Sequence, residues 1–131
     1  MPRSRTTVDV PGLGDSTPYA YAQCVTAGDF IFVAGQTGVD KDYNVVSEEF
    51  GPQARQTLRN IEMALEAAGA GFADLVTMTV WVTDIKYGRE FLEIRKEILG
   101  DNLAPSALIG GAELIFPTML IEIQATAYKP A

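Results

Sequence analysis

The sequence predicts an α+β fold in which a mixed β-sheet is covered on one face by two helices. Segments 75–83 and 119–128 alternate apolar and polar residues, as half-buried strands do. Segments 48–68 and 87–99 repeat apolar residues every three or four positions, which is typical of amphipathic helices. With 131 residues, we expect one domain spanning residues 1–131.

A hairpin is predicted before the first helix. Its arms are segments 21–26 and 30–34, which are rich in aromatic and β-branched residues and are separated by the turn residues 27–29. The second arm ends at Gly35 and Gln36.

The first helix is predicted over residues 48–68. It would bury one apolar stripe, Ala54, Leu58, Ile61, Leu65 and Ala68. Glu48 and Glu49 fall in its first turns, where carboxylates complement the helix dipole. Gly69 and Gly71 follow its end and are expected to supply a left-handed cap.

Three further strands and a second helix complete the predicted order. Strand 75–83 would direct Val76, Met78, Val80 and Val82 to the core. Helix 87–99 would bury Phe91, Ile94 and Ile98 and end at Gly100. A strand over 106–114 would be weakened or bulged at Gly110 and Gly111, and strand 119–128 would close the sheet.

The face of the sheet opposite the helices has an unusual predicted composition. It would carry Thr77, Thr79, Trp81, Leu120, Glu122 and Tyr128. This set is too aromatic for an ordinary solvent-exposed face and too polar for a hydrophobic core, which favours a subunit interface with a pocket. The alternative is a solvated face with scattered aromatic residues.

Composition excludes several functional classes. Seventeen acidic and ten basic residues give a net charge of −7, which argues against a nucleic-acid partner. The chain has no histidine, so catalytic triads that need imidazole are excluded. Cys24 is the one cysteine, so no internal disulfide can form, and it is expected to be a small buried hydrophobe.

No metal, membrane or secretion signal is predicted. Asp15, Asp40 and Asp42 are spaced too irregularly for a calcium loop. The sequence has no apolar N-terminal region and no stretch long enough to cross a bilayer, so we expect a cytoplasmic protein.

Several strings resemble the RidA/YjgF family of small proteins. Segments 21–25 and 28–36 resemble the opening signature of the family. Asn60, Leu65, Ala68 and Gly69 resemble its first helix, segment 80–84 its central strand, and segment 121–125 its closing strand. The resemblance implies a chorismate-mutase-like fold and a homotrimer whose sheets form a central barrel. It also implies ligand pockets in the clefts between subunits, and hydrolysis of an enamine or imine such as 2-aminoacrylate to a keto acid and ammonia without a cofactor.

The sequence departs from the family at two pocket positions. Active members carry an arginine that grips the substrate carboxylate, and the alignment places Ser106 there. A helix position that is often asparagine falls on Leu92. A serine hydroxyl supplies neither a positive charge nor bidentate hydrogen bonds, and Leu92 makes the pocket more apolar. Both changes argue against the standard 2-aminoacrylate-type substrate.

The expected site residues carry alternatives of their own. Glu122 is expected to orient or deprotonate the attacking water; the alternative is an ion pair with a cation of a neighbouring subunit. Tyr21 is expected to contact the substrate; the alternative is packing at a subunit interface. Arg95 is a candidate replacement for the missing charge, or a solvated side chain. The expected substrate-binding set is Gly35, Gln36, Trp81, Leu92, Arg95, Ser106 and Ile109.

Three functions are consistent with these residues. The first is a hydrolase or deaminase acting on a small enamine, imine or related metabolite at trimer clefts. The second is a trimeric module that binds a small metabolite or a partner protein without turnover, which Leu92 and Ser106 favour. The third, the ribonuclease activity sometimes attached to relatives by name, is disfavoured by the charge and the missing histidine.

Overall fold

A computed structural model describes residues 5–130 and confirms the predicted α+β class. The strands are β1 Arg5–Thr7, β2 Cys24–Ala27, β3 Phe30–Thr37, β4 Leu75–Val82, β5 Ser106–Ile109 and β6 Ile121–Tyr128. The helices are α1 Phe50–Ala67 and α2 Gly88–Leu99, with short 3₁₀ turns at Thr17–Tyr19, Phe72–Asp74 and Ile85–Tyr87. No helix within these residues is long and apolar enough to cross a membrane.

The strands form one mixed sheet in the order β1-β2-β3-β6-β4-β5. Neighbouring strands are antiparallel except β4 and β5, which run parallel. Parallel neighbours need a crossover connection, and α2 supplies it between β4 and β5. β5 therefore lies at one edge of the sheet, and β6 lies two strands inward.

Both helices pack against the same face of the sheet, as predicted. The α1 side chains Ala54, Leu58, Ile61 and Leu65 are fully buried. Phe91 and Ile94 of α2 belong to the same cluster. The sheet contributes the alternate residues of its central strands, Ile31, Val33, Val80, Val82, Ile121, Ile123, Ala125 and Ala127.

The start of β4 differs from the prediction. Leu75 is buried, whereas Val76, expected in the core, is 39% exposed. The pairing with β6 shifts between Leu75 and Thr77, so a bulge adds one residue there and reverses the alternation.

The predicted boundaries of α1 are partly wrong. Glu49 is the N-cap in an extended conformation, so Glu48 and Glu49 precede the helix instead of lying in its first turn. Gly69 adopts the expected left-handed conformation, at φ +82°. Gly71 does not: at φ −155° it is extended and begins the next 3₁₀ turn.

Several strands are shorter than predicted. β5 ends at Ile109 because the chain turns away at Gly110, where an added Cβ would lie 2.7 Å from Cβ of Ile85. The hairpin begins at Cys24 instead of Tyr21, and the last strand begins at Ile121 instead of Met119. The short strand β1 was not predicted.

Candidate functional site

Glu122 occupies the open face of the sheet, between the buried residues Ile121 and Ile123 of β6. β3 bulges beside it, because the register with β6 shifts between Val33 and Gln36. Gly35 lies in this bulge, and an added Cβ there would lie 2.5 Å from Oε2 of Glu122. The absent side chain of Gly35 therefore leaves the space that the carboxylate occupies.

Three tyrosines line the same concave surface as this carboxylate. The rings of Tyr19 and Tyr43 meet edge to face, with their centroids 5.2 Å apart. The hydroxyls of Tyr21 and Tyr43 are 3.4 Å apart, and Nε2 of Gln23 donates to the Tyr43 hydroxyl at 3.3 Å. Burial, followed by the hydrogen bond with Tyr21, raises the pKa of Tyr43, so its phenol stays protonated at neutral pH.

These groups enclose a cavity of about 350 Å³, which we call the carboxylate cavity. Its lining residues are Tyr19, Tyr21, Gly35, Thr37, Tyr43, Ile115, Phe116, Met119 and Glu122. None of these is cationic, and desolvation raises the pKa of Glu122. A carboxylate with a raised pKa is a stronger base than an exposed one, which makes Glu122 a candidate for accepting a proton.

Gln53 holds the segment that enters β6. Its side chain on α1 is fully buried, and Nε2 donates to the carbonyls of Ser47 and Thr118, each at 2.8 Å. Its Oε1 accepts from the backbone N–H of Leu120 at 2.8 Å. Through these bonds, helix α1 fixes the chain two residues before Glu122.

Ser106 and Arg95 lie together on the other side of the sheet. Ser106 pairs in register with Met78, which is buried beneath the helices, so its side chain points to the helix side. There Nη1 of Arg95 donates to Oγ of Ser106 at 2.7 Å. Cζ of Arg95 lies 5.0 Å from the ring centroid of Phe91, and desolvation lowers the pKa of Arg95.

Arg95 also lines a second cavity, of about 180 Å³, which we call the cationic cavity. Its lining residues are Met78, Leu92, Arg95, Lys96, Leu99, Gly100, Asn102, Leu103 and Ala104. It holds two cations and no carboxylate, the reverse of the carboxylate cavity.

The expected site residues therefore divide into two groups. Tyr21, Gly35 and Glu122 meet at the carboxylate cavity, whereas Leu92 and Arg95 line the cationic cavity, with Ser106 bonded to Arg95. β6 and β5 are two strands apart, which is about 10 Å, and the two groups lie on opposite faces. Within one chain, a small ligand cannot contact both.

Three further expected residues lie outside both cavities. Gln36 is buried, and its Nε2 donates to Oε1 of Gln23 at 2.8 Å. Trp81 is in register with Glu122 on one side and with Ile109 on the other, so these residues form a row across the open face.

Sequence reasoning missed Tyr19, Tyr43, Ile115 and Phe116 of the carboxylate cavity. Tyr43 adopts a left-handed conformation at φ +63°, which the sequence does not signal. Ile115 is 80% exposed and directly follows the strand that was predicted over residues 106–114. Tyr19 ends a 3₁₀ turn and Ala20 is left-handed at φ +63°, so no strand-like alternation in the sequence signals that Tyr19 and Tyr21 line one cavity.

Comparisons with known proteins agree with this architecture. The family model of Endoribonuclease L-PSP matches residues 15–129. A RutC family protein of Pyrococcus horikoshii is 36% identical over 110 residues, which cover 83% of this chain and 86% of that protein. The 2-iminobutanoate/2-iminopropanoate deaminase of Salmonella typhimurium is 40% identical over 65 residues, covering 50% of this chain and 51% of the deaminase.

A solved structure gives the same result. Rv2704 of Mycobacterium tuberculosis, a member of the YjgF/YER057c/UK114 family, matches with a TM-score of 0.81 at 35% identity, over 95% of this chain and 99% of its own. The family model matches residues 15–129, and the proteins of Pyrococcus horikoshii and Mycobacterium tuberculosis match over most of the chain. The chain belongs to the RidA/YjgF family.

Proposed function

We propose that this protein hydrolyses a small enamine or imine to a carbonyl compound and ammonia, on a substrate other than the standard 2-aminoacrylate type. The observation that carries the proposal is the desolvated carboxylate of Glu122 in a cavity walled by tyrosines. The 2-iminobutanoate/2-iminopropanoate deaminase of Salmonella typhimurium, which is similar to half of this chain, is named for imine deamination, and this name supports the proposal.

Glu122 acts as the general base in this proposal. Its carboxylate takes a proton from water while the water oxygen bonds to the imine carbon. This proton passes to the nitrogen, which gives a carbinolamine. Glu122 then takes the proton of the new hydroxyl and delivers it to the same nitrogen, so that the C–N bond breaks and ammonia leaves as the carbonyl forms. Tyr21 and the backbone at Gly35 bound the substrate beside the carboxylate.

The site is completed in our proposal by a second subunit of a homotrimer. Phe30 and Phe32 on the open face are 44% and 46% exposed, and the rings of Phe30 and Tyr128 lie 5.0 Å apart. An aromatic patch of this kind is typical of an interface. The two cavities lie on opposite faces of one chain, and we propose that the carboxylate cavity of one subunit faces the cationic cavity of the next across the edge strand β5.

The test is ammonia release from imines that an amino-acid oxidase generates in situ. We expect release by the wild type above the uncatalysed rate, and its loss in Glu122→Gln, which keeps the size of the side chain but cannot accept the proton. Circular dichroism of both proteins controls for folding. Absence of release over a broad panel of imines would overturn the proposal.

One alternative is a trimer that binds a metabolite or a partner protein without turnover. It is favoured by Ser106 and Leu92, which stand at the positions where active members of the family carry arginine and often asparagine. In that case Glu122→Gln would leave ligand affinity unchanged, and no imine in the panel would be hydrolysed. Retained binding with lost turnover would instead identify an enzyme.

A further inference from the structure

A chain of four hydrogen-bonded side chains leads into the carboxylate cavity, and the proposed reaction uses only its last member. It runs from the buried Gln36 through Gln23 and Tyr43 to Tyr21, and we call it the glutamine–tyrosine chain. We infer that Gln36 and Gln23 are positioning residues, which direct a phenol proton of the tyrosine pair toward a lone pair of the ligand.

Two backbone carbonyls fix the orientation of both glutamine amides. Nε2 of Gln36 donates to the carbonyl of Ala34 at 3.2 Å, and a carbonyl can only accept. The same Nε2 donates to Oε1 of Gln23 at 2.8 Å. At the other end of its amide, Nε2 of Gln23 donates to the carbonyl of Gly14 at 3.2 Å. Reversal of either amide would place its oxygen against a carbonyl oxygen, so Gln23 presents an N–H group to the tyrosines.

The tyrosine pair therefore keeps a phenol proton for the cavity. Nε2 of Gln23 donates to the hydroxyl of Tyr43 at 3.3 Å, which leaves the proton of Tyr43 unused. The contact between the hydroxyls of Tyr43 and Tyr21, at 3.4 Å, uses at most one of the two phenol protons. Within residues 5–130, neither hydroxyl makes another hydrogen bond. One phenol proton thus remains, whichever tyrosine donates to the other.

The remaining proton determines which ligand atom the tyrosines prefer. Tyr21 and Tyr43 both line the carboxylate cavity, together with Glu122. A ligand that presents a lone pair to the tyrosines accepts this proton in a hydrogen bond. A ligand that presents only N–H groups to them leaves the phenol without an acceptor and is disfavoured.

This inference deepens the proposed function, and it rests on that function for the reaction but not for the hydrogen bond. The imine nitrogen of the proposed substrate and the carbonyl oxygen of the proposed product each carry a lone pair. A hydrogen bond from a phenol polarises the double bond to carbon, which favours attack of water on that carbon. Gln36 and Gln23 act on the ligand only through the tyrosines.

The test uses cyclopentanone labelled with carbon-13 at its carbonyl, and methylenecyclopentane as a probe of the same shape without a lone pair. Both are titrated by NMR into the full-length protein above neutral pH, where the carboxylate of Glu122 is ionised and cannot donate. We expect the carbonyl resonance of the bound ketone to lie downfield of its position in an apolar solvent, because a hydrogen bond withdraws electron density from the carbon. Combining Tyr21→Phe with Tyr43→Phe should remove this downfield shift.

Gln23→Glu reverses the bond direction and keeps the size of the side chain. A carboxylate only accepts, so it takes the proton of Tyr43, and the Tyr43 hydroxyl in turn accepts from Tyr21. We expect the downfield shift to disappear and the ketone affinity to fall severalfold, which corresponds to one neutral hydrogen bond. The affinity for methylenecyclopentane should stay unchanged, since the cavity keeps its shape. Gln124→Glu adds the same charge at an exposed position and should keep the shift.

A second substitution separates bond direction from structural damage. Adding Tyr43→Phe to Gln23→Glu removes the link between the carboxylate and Tyr21, whose proton becomes free again. We expect the downfield shift to return, which damage to the packing cannot produce. Gln36→Leu should reduce the shift less than Gln23→Glu does, because the Gly14 carbonyl still holds Nε2 of Gln23. Thermal unfolding checks each variant, and the two Tyr→Phe substitutions keep the test valid if Gln23→Glu fails to fold.

The outcomes also distinguish this inference from the proposed function. A downfield shift that Gln23→Glu abolishes, with no ammonia release from any imine, would sustain the phenol donor and refute the hydrolase. Ammonia release by a wild type whose bound ketone shows no downfield shift would do the reverse. A ketone that does not bind, or a shift that persists in Gln23→Glu, would also refute the inference.

Discussion

The two cavities of this chain have opposite chemistry. The carboxylate cavity holds Glu122 among tyrosines and has no cation in its lining, whereas the cationic cavity holds Arg95 and Lys96 and has no carboxylate. Glu122 lies on the open face of the sheet, and Arg95 lies on the helix side next to the edge strand. This contrast teaches that the acidic and the basic side chains among the predicted site residues lie in separate cavities of a single chain.

The largest effect on turnover is expected from a change at the carboxylate cavity. Glu122→Gln should lower turnover of an imine substrate by about 10²–10⁴-fold, since general-base catalysis contributes that much. The measurement is kcat by ammonia release. Gln124→Glu, a change in charge on the same strand at an exposed position, is the control and should keep more activity than Glu122→Gln. Equal turnover in Glu122→Gln and the wild type would remove Glu122 from the mechanism.

Gln53 tests whether helix α1 positions the base. Gln53→Leu leaves the N–H of Leu120 and the carbonyls of Ser47 and Thr118 without a partner, so we expect a loss of about 2–4 kcal/mol in the free energy of unfolding. Urea denaturation measures it. Gln56→Leu, which loses one bond to Asn60 from a partly exposed position, should cost less than about 1 kcal/mol. Equal losses in the two variants would contradict the special role of Gln53.

Gly35 tests how closely the base must be placed. The added Cβ of Gly35→Ala would lie 2.5 Å from Oε2 of Glu122, so the carboxylate must move. We expect kcat to fall about tenfold to a hundredfold, as small misplacements of catalytic groups do. Gly71→Ala is the control, because its Cβ would meet no atom within 4 Å and its φ of −155° is open to any residue. Unchanged kcat in Gly35→Ala would show that the packing against Gly35 is unimportant.

The smallest predicted effect concerns pH. Desolvation raises the pKa of Glu122 above its ordinary value of 4.5, so the folded protein keeps this proton to a higher pH than the unfolded chain does. Stability should therefore fall as pH rises from about 4.5 through the raised pKa, and stay at the lower level above it. Glu122→Gln lacks this dependence, so urea denaturation of both proteins from pH 4 to pH 8 isolates it. The opposite sign would indicate that a cation of a neighbouring subunit contacts Glu122 directly.

Much of this architecture was predictable because alternation and helical spacing are local signals. They correctly gave β4, β6, both helices and the face that carries Glu122. The bulge at Val76 was not predictable, because an extra residue in one strand leaves no mark on the alternation until the partner strand is known. The role of Gln53 was also hidden, since its partners Thr118 and Leu120 are more than sixty residues away.

The candidate site was predictable only in part. Tyr21, Gly35 and Glu122 line one cavity, and their part in binding or catalysis stays a prediction. The separation of Ser106 from Glu122 depends on strand register, because Ser106 pairs with Met78 and Glu122 pairs with Trp81, three residues further along β4. An odd offset places the two side chains on opposite faces, and sequence spacing alone does not reveal it.

Subunit complementation tests the division of the site most directly. Glu122→Gln and Arg95→Leu, each impaired alone, would be unfolded together, refolded as a mixture and assayed for ammonia release from a carboxylate imine. If each cleft combines Glu122 of one subunit with Arg95 of the next, random mixed trimers contain intact clefts, and about a quarter of wild-type activity should return. Activity no higher than the mean of the two variants would contradict a site shared between subunits.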